Sequence, residues 1–366
     1  MLEFEKFGEV ADIPYDMGLL DGLSDPVIVV NEKYNIVHHN RAYKRILEAD
    51  PLSNATVALT KNKSITATIK KCLSGIPGQS NEIFMPNPIG LYFSVNMWRL
   101  PELRSEGPAW AMMVLRDVTA EKRAEEMRAD FVANVSHELR SPLSALLGFI
   151  ETLQGPAAND PGANKRFLGI MHSEAERMSR LIGDLLTLSK VESDEHISPD
   201  EIVEIGPIVK GVRSALSGEA ENKGMKIEFI EEERIPLLLG DPDELTQVVQ
   251  NLLANAINYG TPDNNIRLEI KNSSEMPGTG GEGIAIAVTN KGEGIPEAEL
   301  SRITERFYRV DKGRSRSMGG TGLGLAIVKH IIGRHRGFLE IESELNQKTT
   351  FTVTLPSVSL ELTKDM

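Results

Sequence analysis

Cysteine is almost absent from this sequence. The 366-residue chain holds one, Cys72, so no intramolecular disulfide can form, which fits a reducing compartment. Long apolar runs are missing too. The best candidates, such as PVIVV at 26–30, are strand-sized, well short of the roughly 20 residues of a membrane helix. The opening MLEFEKFGEV is acidic and has no apolar stretch, so it does not read as a signal peptide. Basic residues are in deficit: 40 Lys and Arg stand against 53 Asp and Glu, a net charge of −13. That balance argues against direct nucleic-acid binding. No internal repeat is visible. What is present is sufficient apolar material, 40% of residues, for packed cores in two or three domains. The expectation is a soluble, cytoplasmic chain with no membrane contact of its own, whether complete or the cytoplasmic part of a membrane-anchored bacterial sensor.

Composition shifts divide the chain into an N-terminal segment at 1–17, a mixed α/β domain at 18–118, a helical region at 119–194 and a second α/β domain at 203–358. In the first domain, DPVIVVNEKYNIVHHN reads as two strands joined by an Asn-rich turn. GLYFSVNMWRL and AWAMMVLRDV follow as strands, with turn chemistry in PELRSEGP between them. The charged TAEKRAEEMRADF is helix-prone, and Gly and Pro break the pattern at QGPAANDPGA. A second helix is expected over 165–192, where Met171, Met178 and Leu185 recur every seven residues with Leu181 and Leu188 between them. This is an antiparallel helical hairpin. Two helices bury too little alone, and a dimeric four-helix bundle solves that. ESDEHISPDE is a linker. Beyond it, helices at 207–222, 241–259 and 324–334 alternate with strands at 225–230, 266–270, 284–290, 338–343 and 350–356, the pattern of a two-layer α/β sandwich.

The stretch FVANVSHELRSPLSALLGFIETL (131–153) carries the most chemistry. On a helical wheel Val132, Val135, Leu139, Leu143, Leu146 and Ile150 form one stripe, which leaves His137 and Ser141 facing solvent. Pro142 removes a backbone hydrogen bond at the turn of Glu138. A lone histidine there would be ordinary surface. A His-Glu pair beside a proline points to a pliable reactive site, because a neutral imidazole nitrogen attacks phosphorus while a neighbouring carboxylate takes the other ring proton.

These residues carry a resemblance. NVSHELRSPL (134–143) resembles the phospho-acceptor box of sensor histidine kinases of two-component systems. The resemblance implies that His137 is phosphorylated from ATP, that Glu138 is the general base and that Ser141 supports phosphatase activity towards a response regulator. QNLLANAINYG resembles the family's asparagine box, implying nucleotide contacts from Asn251, Asn255 and Tyr259, with Asn255 ligating Mg2+. NKGEGIPE resembles its first glycine box, with Asn290, Gly292, Gly294 and Ile295. TERFYRV resembles its phenylalanine box, and Arg309 is expected at the terminal phosphate. DKGRSRSMGGTGLGLAIVKHI resembles the ATP lid, with Lys312, Arg314 and Arg316, and the second glycine box, with Gly320, Thr321, Gly322, Leu323, Gly324 and Leu325. Each glycine cluster alone is a weak signal; five boxes in the family's order are a strong one. The implied architecture is multidomain α+β, ending in a Bergerat-type (GHKL) ATP-binding sandwich. Three positions depart from the pattern: Asn290 replaces an aspartate, Asn258 stands where Lys or His is usual, and ELNQK replaces a glycine-rich turn.

The front domain resembles a PAS sensor domain, and VLRDVTAEKRAEEM resembles the exit that joins such domains to a signalling helix. His38 and His39 read as a strand end, since neighbours on a strand face opposite ways, and Cys72 as a packed or surface thiol. Within the family the boxes most resemble phosphate-regulon sensors of the PhoR type. That implies phosphate-responsive signalling and a response regulator of the OmpR/PhoB class. Two readings stay open at this point: an autophosphorylating kinase that is also a phosphatase, and a degenerate kinase acting mainly as a dimeric regulator-binding or phosphatase module.

Overall fold

The computed structural model describes residues 17–49, 63–76, 81–85, 90–100, 109–277, 280–310 and 320–358. They fall into two compact units, Met1–Ala133 and Asn134–Met366.

In the first unit, a 3-10 turn at Met17–Gly22 precedes β1 (Val27–Asn31) and β2 (Ile36–His39). The Asn-rich turn between them is closed by Asn31, whose Oδ1 accepts from the N–H groups of Lys33 and Asn35. Two helices follow, α1 (Arg41–Ala49) and α2 (Lys63–Leu73), then β3 (Asn81–Met85), β4 (Leu91–Arg99) and β5 (Trp110–Asp117). The antiparallel sheet runs β2-β1-β5-β4-β3. One face buries Ile28, Val30, Phe93, Val95, Met97, Met113 and Leu115 against Tyr43, Ile65 and Ile69 of the two helices. Cys72 is buried in this core, and burial raises its thiol pKa above the ordinary value. His38 is half-buried, with its Nε2 unpartnered, and burial lowers its pKa. The α3 helix (Thr119–Gln154) starts where Thr119 Oγ1 accepts from Tyr92 N–H and Asp117 Oδ1 accepts from Thr119 N–H. β1, β2, β4 and β5 lie where the sequence predicts strands, whereas α1, α2 and β3 are additional to that expectation. PELRSEGP lies outside the described residues.

The second unit begins within α3. Pro142 does not interrupt the helix. A turn leads to α4 (Pro161–Ser193), whose N-terminus is capped by Asp160 Oδ1, accepting from Gly162 and Ala163. Phe149 of α3 stacks on Phe167 of α4 at 5.3 Å. The linker, expected at 192–201, begins only at 194, because Glu192 and Ser193 belong to α4; it is followed by β6 (Ile202–Val203), α5 (Ile205–Asn222), β7 (Lys226–Glu231), β8 (Leu238–Leu239) and α6 (Pro242–Tyr259). Then come β9 (Asn265–Ser273), β10 (Gly283–Lys291), α7 (Glu297–Leu300), α8 (Gly324–Arg334), β11 (Phe338–Glu344) and β12 (Lys348–Pro356). The main sheet runs β11-β12-β10-β9-β7, antiparallel except for the β7–β9 pair. Alternation along β9 sends Ile266, Leu268 and Ile270 inward. There they meet the helical layer, in which α6 buries Leu245, Val249, Leu252 and Leu253 and α8 buries Ile327, Val328 and Ile331. This is the expected two-layer sandwich.

The helical layer is tied at one end by polar bonds. Asp241 caps α6, and its own N–H donates to His335 Nε2 at 3.0 Å. His335 Nδ1 in turn donates to the Ile331 carbonyl at 2.8 Å, which fixes a neutral ring. Burial lowers the pKa of His335. Beside it Arg334 pairs with Glu244, both nearly enclosed.

Candidate functional site

The glycine boxes meet at one end of the sandwich. Gly294 (φ +73°) and Gly322 (φ +75°) are left-handed, a conformation that a side chain strains. A Cβ on Gly294 would meet the Glu344 carbonyl oxygen at 2.6 Å, and one on Gly322 would meet Phe307 Cα at 3.0 Å. The phenylalanine box is anchored on this turn: Phe307 N–H donates to Gly322 O at 2.8 Å. The first glycine turn is docked likewise. Gly292 bridges to Gly260, just beyond Tyr259, and Ile295 N–H donates to Ser343 Oγ at 2.8 Å. The departure at ELNQK has a physical account. Asn346 takes the left-handed conformation (φ 57°) that glycine would otherwise supply, and its N–H donates to Glu293 O at 2.8 Å.

Asn251 and Asn255 sit one turn apart on α6, both half-buried. Asn251 Nδ2 is buried without a hydrogen-bond partner. A Cβ on Gly324, the first residue of α8, would lie 3.0 Å from Asn251 Oδ1, so the N-terminus of α8 comes up against this asparagine. No side chain caps α8, and its first N–H groups are donors suited to an anion. Asn290 is buried at the end of β10, with its amide nitrogen beside Gly292. An orphaned amide, uncapped helix N–H groups and turns that only glycine fills fit a phosphate-bearing nucleotide. Gly320 and Leu325 are half-buried around this turn and Leu323 is fully buried, its N–H donating to Thr321 Oγ1 at 3.3 Å. Tyr259 is exposed at the C-terminus of α6. Asn258 accepts from Lys223 Nζ at 2.6 Å, so the position that departs from the family pattern is engaged by the lysine that follows α5. Lys312, Arg314 and Arg316 of the expected lid lie outside the described residues.

On the hairpin, His137 and Ser141 are exposed, as the wheel places them. Glu138 is not turned outward with them. Its Oε2 accepts from Arg177 Nη2 of α4 at 2.6 Å, and Arg309 Nη2 lies 3.9 Å away. Arg309 also donates to the Gly320 carbonyl. The arginine expected at a terminal phosphate therefore bridges the second glycine box and the hairpin. Two further bonds run between the same elements. Thr321 Oγ1 donates to Asp184 Oδ2 at 2.6 Å, and Arg306 pairs with Glu192 at 2.6 Å. Burial raises the carboxyl pKa of Asp184, with the Thr321 hydrogen bond and Arg180 opposing. Neither Arg177 nor Asp184 stood out in the sequence. Asp184 did leave one signal: it lies three residues after the buried Leu181, so it shares that leucine's face of the helix.

Comparison with known proteins bears on both ends of this geometry. Residues 127–194 match the His Kinase A (phospho-acceptor) domain, and residues 240–359 match the histidine kinase-, DNA gyrase B-, and HSP90-like ATPase domain. The two segments are thus similar to the phospho-acceptor and ATPase domains of histidine kinases. The sensor protein kinase WalK of Staphylococcus saprophyticus is 38% identical over 248 residues, covering 68% of this chain and 40% of that protein. WalK of Staphylococcus aureus is 37% identical over 248 residues, covering 68% of this chain and 58% of that one. The chain thus spans less than two thirds of the length of these relatives. Among solved structures, the histidine kinase ThkA in complex with the response regulator protein TrrA aligns with a TM-score of 0.48 at 18% identity, over 94% of this chain and 99% of that one. The segment that matches the acceptor model holds His137, and the segment that matches the ATPase model holds the glycine turns. Among the described residues, no helix is long and apolar enough to cross a membrane.

Proposed function

We propose that the chain is an ATP-dependent, autophosphorylating protein-histidine kinase that passes its phosphoryl group to an aspartate of a response regulator. The observation that carries this reading is an exposed acceptor histidine in the same compact unit as a glycine-built anion cradle with an unpartnered amide. In the reaction, an imidazole nitrogen of His137 forms the N–P bond as the bond between the γ-phosphorus and the bridging oxygen of ATP breaks, and ADP leaves. Glu138 receives the proton from the other ring nitrogen. For that step it must turn from Arg177 towards His137. Asn255 would hold Mg2+, which supplies charge stabilisation at the phosphates, and Asn290 would accept from the adenine amino group. Transfer then forms an acyl phosphate on the regulator's aspartate and returns His137 to neutral imidazole. Ser141, exposed one turn on, would orient the water that later hydrolyses that acyl phosphate.

The same reading includes a homodimer through the hairpin, whose exposed Val132, Leu143, Leu147, Leu168, Ile182 and Leu186 need cover. It includes a PAS-like sensor in front, supported by the β2-β1-β5-β4-β3 sheet with its helices between β2 and β3. It also includes a cytoplasmic setting, where ATP is supplied, and a regulator of the OmpR/PhoB class on the strength of the sequence resemblance. The relatives named above are WalK kinases, and they give no support to a phosphate-responsive role of the PhoR kind. A second reading, a regulator-binding module with little kinase activity, draws on Glu138 being held by Arg177.

Incubation with γ-labelled ATP and Mg2+ separates the two. The kinase reading predicts acid-labile, alkali-stable label on the protein that chases to a response regulator. No label, with adenine nucleotide binding also absent by titration, removes it.

A further inference from the structure

The bond between Asp184 and Thr321 joins a carboxylate of α4 to the hydroxyl of the second glycine box. Thr321 is half-buried and spends its proton on Asp184 Oδ2 at 2.6 Å. The elements on either side of this bond are tied as well. Arg309, whose side chain is nearly enclosed, faces Glu138, and Arg306 pairs with Glu192. Along α4 on either side of Asp184, Leu181 and Leu188 are buried. The carboxylate is therefore held at the cradle by its surroundings and is not a loose surface charge.

Two consequences follow for an anion entering that cradle. The Thr321 hydroxyl is not available as a donor to a phosphate oxygen while it donates to Asp184. A carboxylate one hydrogen bond away also repels a polyphosphate, and it does so strongly in a partly buried setting. We infer that Asp184 is an electrostatic gate on the nucleotide cradle: while α4 is docked on the second glycine box, it opposes binding of the phosphate chain, so that nucleotide entry and release of this contact are coupled. Burial already raises the Asp184 carboxyl, so the charge is held at a cost that release relieves. In the same docked arrangement Arg309 Nη2 lies 3.9 Å from Glu138, which Arg177 of the hairpin also holds. This inference rests on the nucleotide-binding reading above.

The test titrates the full chain with ATP, ADP and adenosine, following binding directly and not turnover. Asp184→Asn keeps the side chain's shape and removes its charge; Asp184→Glu keeps the charge. The gate predicts that Asp184→Asn binds ATP and ADP about three- to tenfold more tightly than the wild-type chain. Adenosine, which has no phosphates, binds both equally, and Asp184→Glu stays close to wild type. Unchanged or weaker ATP and ADP binding in Asp184→Asn overturns the gate, and so does an equal gain for adenosine. If neither chain binds any adenine nucleotide, the nucleotide reading itself falls and the gate with it. A wild-type chain that binds ATP, beside an Asp184→Asn chain that binds it identically, removes the gate alone.

Discussion

The sandwich and the hairpin of the second unit treat apolar surface in opposite ways. In the sandwich, Leu252, Leu253, Leu268, Ile284 and Ile327 are all fully enclosed by the chain itself. In the hairpin, Leu181 and Leu188 are buried, yet Leu186, two residues from Leu188, is 68% exposed, and Ile182 and Leu143 are near half-exposed. The contrast extends to chemistry. The cradle is fixed by left-handed glycines and docked turns, whereas His137 stands in solvent and Glu138 is committed to an arginine. One region is self-sufficient and preorganised. On the function proposed above, the other depends on partners, a second copy for its apolar face and a moving nucleotide for its histidine.

The contrast can be broken at four points. The largest effect is expected where the hairpin lacks cover. Ile182→Glu combined with Leu186→Glu should abolish self-association, measured by light scattering, while the sandwich keeps its own melting transition. Leu188→Ala, on the buried side of the same helix, should cost about 2–5 kcal/mol of stability in denaturant titrations. In the sandwich, Gly294→Ala combines left-handed strain with a backbone clash at Glu344. A loss of about 1–3 kcal/mol is expected, with weakened ATP binding by titration.

The smallest effect concerns pH. His335 is held neutral, with a pKa below the ordinary 6.5. The unfolded chain therefore binds the extra proton first, so its contribution is complete above pH 6.5 and fades as pH falls towards the folded value. Glu244, raised by burial, acts with the opposite sign, so the difference between wild type and His335→Gln isolates the histidine. The variant should show a flatter fall of Tm below pH 6.5. An identical slope would mean that the ring does not couple to folding.

Much of the sandwich was legible because its strands alternate and its helices begin and end on capping residues or glycines. The helix at 324–334 and the strands of the main sheet lie where periodicity put them. The β6–β8 pair was not legible, because two residues on each strand carry no period. In the first unit, α1 and α2 went unread. On the candidate site, the wheel placed His137 and Ser141 correctly in solvent. It could not place Glu138, since the arginine that turns it inward is 39 residues away. The Asp184–Thr321 bond spans 137 residues. Spacing rules reach across a few turns of helix, and such pairs are set by how separate elements pack on one another.

The central claim is that a phosphate from ATP ends on one exposed imidazole. Mass-spectrometric mapping of the phosphoryl group under neutral conditions, on wild type and on His137→Gln, addresses it directly. The account predicts phosphohistidine at position 137 in the wild type, and no phosphate in the variant although it binds ATP as tightly. Phosphate on another residue, or a His137→Gln chain that is labelled as fully as the wild type, would contradict it.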